Sequence, residues 1–552
     1  MTKHVQFLEL LIGPLANEGG GGGTPATLIE KSISANGTYN AADDSADGYS
    51  KAVVNVQPDL QSKSVSITEN GTTNVAPDQG KDGLSGVVVV VNVPSGMSAA
   101  DKAKWEAFCA DDCAAGEIPD SITALMNGVK KQNTNLRSVS APQVKNIPAG
   151  AFYYDTGLQS VSFPEAVSIG YGAFYKCSAL TTLTAPKVAA LVAAAAGSQY
   201  AAIADTFNGL TALTALNFPL LASIVAGITT KTDALFKGMS ALASVNLSGL
   251  VSSDSTIIDG NSVAPLTGAN IDLSSLEQVT NGCYVLMQCP NITSLSFPNL
   301  TVGGFYKLSG LTSLSVPKIT VLDLYGCDNL TLANITYDKT LVTKLTAMPK
   351  TVTALTDTDF PAVTELGGVC DNNTNLTNVS LPHVTTVAAS AFLNCTGLLN
   401  AALSAATSLG NNVFKGCTYL ATVDLSNATS LGSGVFMNCK ALTKVNLPKL
   451  TQIKTQLFAG CNALTEVVIG GDVTFATVSS NTYSPFAACT AMQKLVLSGV
   501  TSVPGIASYA LYGLAAACEI YVPDNLVNSF KTATTWSSRS SYIKKLSDYV
   551  PS

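Results

Sequence analysis

The chain has 552 residues with 30 Lys and Arg and 37 Asp and Glu, so charge makes up 12% of it against roughly 25% in ordinary soluble domains. The net charge is −7 and no Lys/Arg block occurs, which argues against a nucleic-acid backbone or an anionic membrane surface as partner. His4 and His383 are the sole histidines, so most histidine-dependent hydrolase chemistry is excluded, and no apolar run reaches the roughly 18 residues of a membrane helix.

Residues 1–25 read as a tether or docking segment. Val5 to Leu15 has the length of a signal-peptide core, but Gln6, Glu9 and Pro14 interrupt it. Asn17-Glu18 and Gly19 to Gly23 follow where a small-x-small cleavage site would stand, so no signal peptide is expected. The glycines lack the Lys-Ser/Thr of a phosphate loop and read as a flexible linker.

Residues 26–96 hold two related segments, Lys31 to Val56 and Lys63 to Val93, each with an alternating strand, an Asn-Gly turn, a polar loop and a Val-rich strand. Each predicts a small antiparallel β-hairpin unit. Asp43-x-Ser45-x-Asp47-Gly48 begins like a calcium loop, but Val54 stands where the bidentate Glu is needed; a polar hairpin turn is the preferred reading, with Ca2+ at Asp43 and Asp47 as the other.

Residues 97–135 predict a helical cap. Ser98 can cap a helix that buries Trp105, Phe108 and Cys109, and a second short helix near Pro119 would bury Ile122, Leu125 and Met126.

From residue 136 to about 520 the chain repeats. Phe392-x-x-Cys395, Phe414-x-x-Cys417, Phe436-x-x-Cys439 and Phe458-x-x-Cys461 recur at 22-residue intervals. One unit reads Leu442-x-x-Val445-x-Leu447-Pro448-x-Leu450-x-x-Ile453-x-x-x-Leu457-Phe458-x-x-Cys461, and drifted copies surround Phe163-Pro164, Phe218-Pro219, Phe297-Pro298, Val316-Pro317 and Leu381-Pro382. A single unit cannot bury its apolar face; stacking units at about 4.8 Å makes continuous columns of Leu, Val, Phe and Cys. Residues 521–552 predict a C-terminal cap in which Asp524 starts a helix covering the last coil with Leu526, Val527 and Phe530.

The Ala-Phe-x-x-Cys-x-x-Leu-x-x-Val-x-Leu-Pro unit, as at Ala391-Phe392-Leu-Asn-Cys395-Thr-Gly-Leu398, resembles the BspA-like leucine-rich repeat of bacterial surface proteins and of some phage virion proteins. The resemblance implies a mainly β fold with short helices: a solenoid of about 15 coils of about 22 residues, with capping helices and small N-terminal β units. Separately, Ile33 to Asn40 with Ala46 to Val56 resembles a segment of tail and other structural proteins of phages infecting Gram-positive gut bacteria.

Candidate chemistry is sparse. The Cys395, Cys417, Cys439 and Cys461 ladder reads as a buried structural column, with cysteine as a small hydrophobe. Cys109-Cys113 and Cys283-Cys289 offer two ligands each where structural zinc needs four. His383 reads as a solvated turn histidine, and the adjacent pairs Asp43-Asp44 and Asp111-Asp112 point apart on any regular backbone. No catalytic, cofactor or metal residue is therefore assigned, and no enzyme is expected. The candidate binding residues are the outward strand positions Thr182, Thr184, Ser294, Ser296, Asn378, Ser380, Thr422, Asp424, Lys444 and Asn446, with Ser160 and Ser162 in the same place. Tyr153, Tyr154, Tyr171, Tyr175 and Tyr419 fall near coil turns, where they either stack on sugars or pack.

The expected function is that of a phage virion structural protein, tail- or fibre-associated. It would join other virion proteins through its N-terminal region, present the repeat to a host-surface glycan or protein, and not insert in a membrane. A trimer would suit a fibre, though no heptad coiled coil is present. The alternative is a bacterial cell-surface adhesin of the same repeat family.

Overall fold

The Leu-x-x-Val-x-Leu spacing places alternate residues on opposite sides of a short segment. In the computed structural model these segments are strands of two to four residues, typically with a buried central apolar residue and outward flanks, as in Thr182–Thr184 and Ser294–Ser296. The structure describes residues 37–40, 53–59, 64–69, 72–77, 98–109, 113–123, 125, 129–130, 132–192, 206–225, 234–260 and 266–551.

Four strands open the described chain: β1 (Gly37–Asn40), β2 (Val53–Asp59), β3 (Ser64–Glu69) and β4 (Thr72–Pro77). They form one antiparallel sheet in chain order. The two expected hairpin units are thus joined, because β2 of the first pairs with β3 of the second. The pairing of β3 with β4 runs to Glu69 and Thr72. Asp43, Asp47 and the Val87–Val93 segment lie outside the described residues, as does the tether.

Helix α1 (Ala99–Cys109) begins as expected, with the Asp101 N–H donating to Ser98 Oγ at 3.1 Å. Trp105 and Phe108 are buried and their rings stack 5.6 Å apart. Among the described residues of this segment no second helix is present. Residues 119–122 make a turn closed by the Ile122 N–H on Pro119 O at 2.9 Å, which buries Ile122 without a helical face; Met126 lies outside the described residues. Within the segment read as helical there is instead a strand, β5 (Ala115–Glu117), parallel to Ser138–Ser140. Glycine makes this possible: a Cβ on Gly116 would lie 2.4 Å from Phe108 Cδ2, so the helix packs directly on the strand backbone.

The chain divides into two compact units, residues 1–221 with 225–227 and 238–242, and residues 222–224, 228–237 and 243–552. In the first, β5 is followed in strict parallel register by Ser138–Ser140, Ser160–Ser162 and Thr182–Thr184, with a second column of Asn146–Ile147, Ser168–Gly170 and Ala190–Val192. In the second, Ala354–Thr356, Asn378–Ser380, Asn400–Ala402 and Thr422–Asp424 form one parallel front sheet, and Lys444–Leu447, Glu466–Ile469, Lys494–Leu497, Glu519–Val522 and Ile543–Lys545 form another. A side column of six short strands runs from Val321–Asp323 to Ser430–Leu431.

The chain is a mainly β parallel solenoid with few short helices and about 18 turns. The expected number was about 15. Coil length explains part of the difference: equivalent residues of successive coils are as few as 19 apart, as for Thr312 and Thr293.

Phenylalanine and cysteine fill the core. Phe392, Phe414, Phe436, Phe458 and Phe486 stack with centroids 5.5 to 5.9 Å apart and planes within 12°. The cysteines beside them donate S–H to a carbonyl one coil back: Cys417 to Phe392 O and Cys439 to Phe414 O at 3.1 Å, Cys461 to Phe436 O at 2.9 Å. Burial pushes the Cys395 and Cys489 thiols up to about 12.

The C-terminal cap holds a short helix, α2 (Val527–Thr532), with Val527 and Phe530 buried. Asp524 does not cap it. The Asp524 carboxylate instead accepts the Ser547 N–H at 3.0 Å and its hydroxyl at 2.7 Å, which hold it below its usual range. Trp536 seals the end, edge-on to Phe475 and Phe530, with Nε1 donating to Pro504 O at 2.8 Å.

Candidate interaction surface

Parallel in-register stacking turns a residue at one coil position into a row. Asn378, Asn400 and Thr422 face one another across three strands, and Ser380, Ala402 and Asp424 make the neighbouring row. Thr182, Thr184, Ser294, Ser296, Thr422, Asp424, Lys444 and Asn446 are exposed, while Asn378 and Ser380 are half-buried. Thr182 and Thr184 belong to the first unit and the other eight to the second.

Two of these residues also do local structural work. The Thr422 hydroxyl donates to Asn400 Oδ1 at 2.6 Å, and Asp424 Oδ1 accepts the Ser426 N–H at 3.1 Å, closing the turn after its strand. The row changes character toward the C-terminus. Lys444, Glu466, Lys494 and Glu519 occupy successive strands in register, so charges alternate along it.

The tail returns over this charged row. The Tyr549 hydroxyl donates to Glu466 Oε1 at 3.1 Å across 83 residues of sequence, the Lys494 ammonium donates to Val550 O at 2.7 Å, and the Tyr549 ring meets Tyr521 edge-on at 5.3 Å. Glu466 is consequently only 5% exposed. Burial and the Glu466 carboxylate raise the Tyr549 hydroxyl to about 12. The sequence pattern carried the alternating row, since all four residues share one repeat position; it carried no signal for the tail.

Other singled-out residues have local roles. Cys283 and Cys289 are buried and donate S–H to Asp254 O and Met287 O. The Cys109 side chain lies outside the described residues. His383 Nε2 lies 3.5 Å from Asp357 Oδ1, both side chains being well exposed. Tyr153 stacks on Tyr175 at 4.9 Å with Tyr154 against both, whereas Tyr419 is exposed. Among the described residues no cluster of three or more His, Cys, Asp or Glu is placed to hold a metal ion.

Sequence reasoning missed the use of threonine. Thr385, Thr407, Thr429, Thr451 and Thr474 each donate a hydroxyl to the carbonyl of the equivalent threonine, Thr364 in the first case, one coil back at 3.0 to 3.4 Å. Such a rung satisfies a backbone acceptor without introducing a charge.

A parallel solenoid with short strands, buried Leu, Phe and Cys columns and a polar strand face defines a leucine-rich-repeat fold. Residues 104–195, 277–399 and 364–485 match the BspA type leucine rich repeat region in six copies, over more than half of the chain, and the chain belongs to this family. Among solved structures it is similar to a leucine-rich repeat protein from Bacteroides ovatus (17% identity, 70% of this chain and 92% of that one, TM-score 0.39). It is also similar to a leucine rich cell surface protein from Faecalibacterium prausnitzii (17%, 74% and 87%, 0.25) and to the pneumococcal vaccine antigen PcpA (13%, 93% and 98%, 0.33). No curated protein matches the chain.

Proposed function

We propose that this chain is a non-enzymatic bacterial cell-surface protein whose solenoid presents its outward strand face to a glycan or protein of another surface. The observation that carries this reading is the in-register polar strand face that each unit presents by itself, with Thr182 and Thr184 in the first and Asn378, Ser380, Thr422 and Asp424 in the second. Small hydroxyls and amides at the strand spacing offer many weak, regularly placed donors and acceptors, which suits a broad contact built from repeated groups. Membership of a repeat family generally found at the cell surface supports the location.

A second reading, a tail- or fibre-associated virion protein attached through its N-terminal region, is favoured by the likeness of residues 33–56 to phage structural proteins. Immunogold labelling of intact cells and of purified phage particles separates the two. The surface reading expects label on cells, and label confined to particles overturns it. For the binding face, Thr422→Lys with Asn378→Lys is expected to abolish attachment of the purified chain to target cells; unchanged attachment sinks the strand-face assignment.

A further inference from the structure

The coil between residues 293 and 320 is shorter than those that follow. Thr312 to Thr293 and Thr320 to Thr301 bonds span 19 residues, against 22 for Thr407 to Thr385 and Thr451 to Thr429. Here Phe305-x-x-Leu308 and Leu324-x-x-Cys327 stand for the Phe-x-x-Cys of later coils, and Cys327 keeps that turn's bonds, its N–H donating to Leu324 O at 3.2 Å and its thiol to Phe305 O at 3.7 Å. Beside them, on the turns preceding the front strands, a groove of about 510 Å³ opens, lined among others by Lys307, Tyr325, Asp328, Lys350, Asp371 and Asn372. That volume falls within the roughly 300–1,000 Å³ of small-molecule sites.

The lining has two features of chemical consequence. Tyr284, Tyr306 and Tyr325 form an aromatic column with centroids 4.9 and 5.2 Å apart, the last two rings within 8° of parallel, and Tyr325 at its groove end is 41% exposed. The Lys307 ammonium sits 5.1 Å over the Tyr306 ring. The lining holds two ammonium groups, of Lys307 and Lys350, and two carboxylates, of Asp328 and Asp371, so it is polar yet balanced in charge. The carboxylates are held in place: the Lys350 N–H donates to Asp328 Oδ1 at 3.0 Å and the Asn372 amide to Asp371 Oδ2 at 3.1 Å.

An anionic ligand would meet Asp328 and Asp371, a cationic one would meet Lys307 and Lys350, and an apolar one would desolvate all four without compensation. A ring of hydroxyls with an apolar C–H face avoids each of these costs. Every hydroxyl both donates and accepts, so it can serve ammonium and carboxylate alike, while the C–H face covers the tyrosine. We propose that this groove binds a neutral oligosaccharide, with one sugar ring on Tyr325 and its hydroxyls shared among Asp328, Lys350, Asp371 and Asn372. None of these residues is on the strand face, and the proposal stands whether or not that face binds anything.

The test is calorimetric titration of the full chain with neutral tetrasaccharides of glucose, mannose, galactose and N-acetylglucosamine, with tetragalacturonate as the charged control. One or more neutral sugars are expected to bind. Tyr325→Ala and Asp371→Asn should each weaken that binding at least about tenfold, while Tyr325→Phe keeps it. Tyr419→Ala, at an exposed tyrosine on a later coil, and Thr422→Lys, on the strand face, should leave it unchanged. Should Tyr325→Ala fail to fold, Asp371→Asn alone decides. The proposal is overturned if no neutral sugar binds, if tetragalacturonate binds best, or if Asp371→Asn binds as tightly as the parent chain.

Discussion

At the scale of single residues, Asp155 shows what the repeat tolerates. It follows the left-handed residue Tyr154 just as Cys177 follows Lys176 and Cys439 follows Asn438, and it is buried like those cysteines. Its Oδ1 accepts the Asn133 N–H at 2.6 Å, while Oδ2 is buried without a hydrogen-bond partner. Burial raises the carboxyl to about 8, with the Asn133 bond and the Lys130 charge opposing. An unfolded Asp titrates near 3.9, so between about pH 4 and about pH 8 the folded chain holds a proton that the unfolded chain has lost. The stabilisation is complete below the lower value and is lost as pH rises through the upper one. Asp155→Asn, which needs no proton to stay neutral, should therefore flatten this dependence and stabilise the chain by on the order of 2 kcal/mol at about pH 9, with little gain at about pH 4. Urea denaturation of both proteins across that range is the check, and parallel pH profiles would refute the assignment.

At the scale of the coil, the left-handed residue before the cysteine of each Phe-x-x-Cys turn governs how tightly the turns stack. Asn394, Gly416, Asn438 and Gly460 hold it with φ of 57°, 78°, 62° and 79°. Asparagine tolerates this conformation, and Asn394 donates from its amide to Asn372 Oδ1 of the preceding coil at 3.1 Å; at Gly460 a Cβ would lie 2.2 Å from Asn438 Oδ1, so glycine is needed there. Gly460→Ala should cost about 1–2 kcal/mol in chemical denaturation, and Asn438→Gly less than about 1. Phe436, stacked between Phe414 and Phe458, should cost about 3–5 kcal/mol on truncation to Ala. These columns were legible in the sequence because every copy of Phe-x-x-Cys meets the same packing constraint at the same interval. What broke the interval was hidden. Gly116 carries no side chain to betray β5, and the shortened coil around Tyr306 has Leu308 where the others have the identifying cysteine. The strand-face residues were readable from alternation alone, but the covering of Glu466 by Tyr549 joins distant segments through one hydrogen bond, and no periodicity encodes it.

At the scale of the molecule, the low charge and the repeat have one cause. Threonine hydroxyls and cysteine thiols bridge successive coils to backbone carbonyls, so many polar needs of each turn are met by uncharged groups of its neighbour. Stability in such an array is a sum of coil and nearest-neighbour terms, which makes an end coil depend on its cap. The cap of the second unit turns on Trp536, which is fully buried against Phe475 and Phe530. Its loss should loosen the last coils while leaving distant ones intact. The buried cysteines report this position by position, because a thiol held near 12 by burial reacts only when its coil opens. In Trp536→Ala, thiol labelling followed by peptide mass spectrometry should therefore show Cys518 and Cys489 reacting several-fold faster than in the parent chain, with Cys395 and Cys417 unchanged. Equal acceleration at all four would mean that the unit opens as a whole, and that the coils are coupled far more strongly than nearest-neighbour contacts imply.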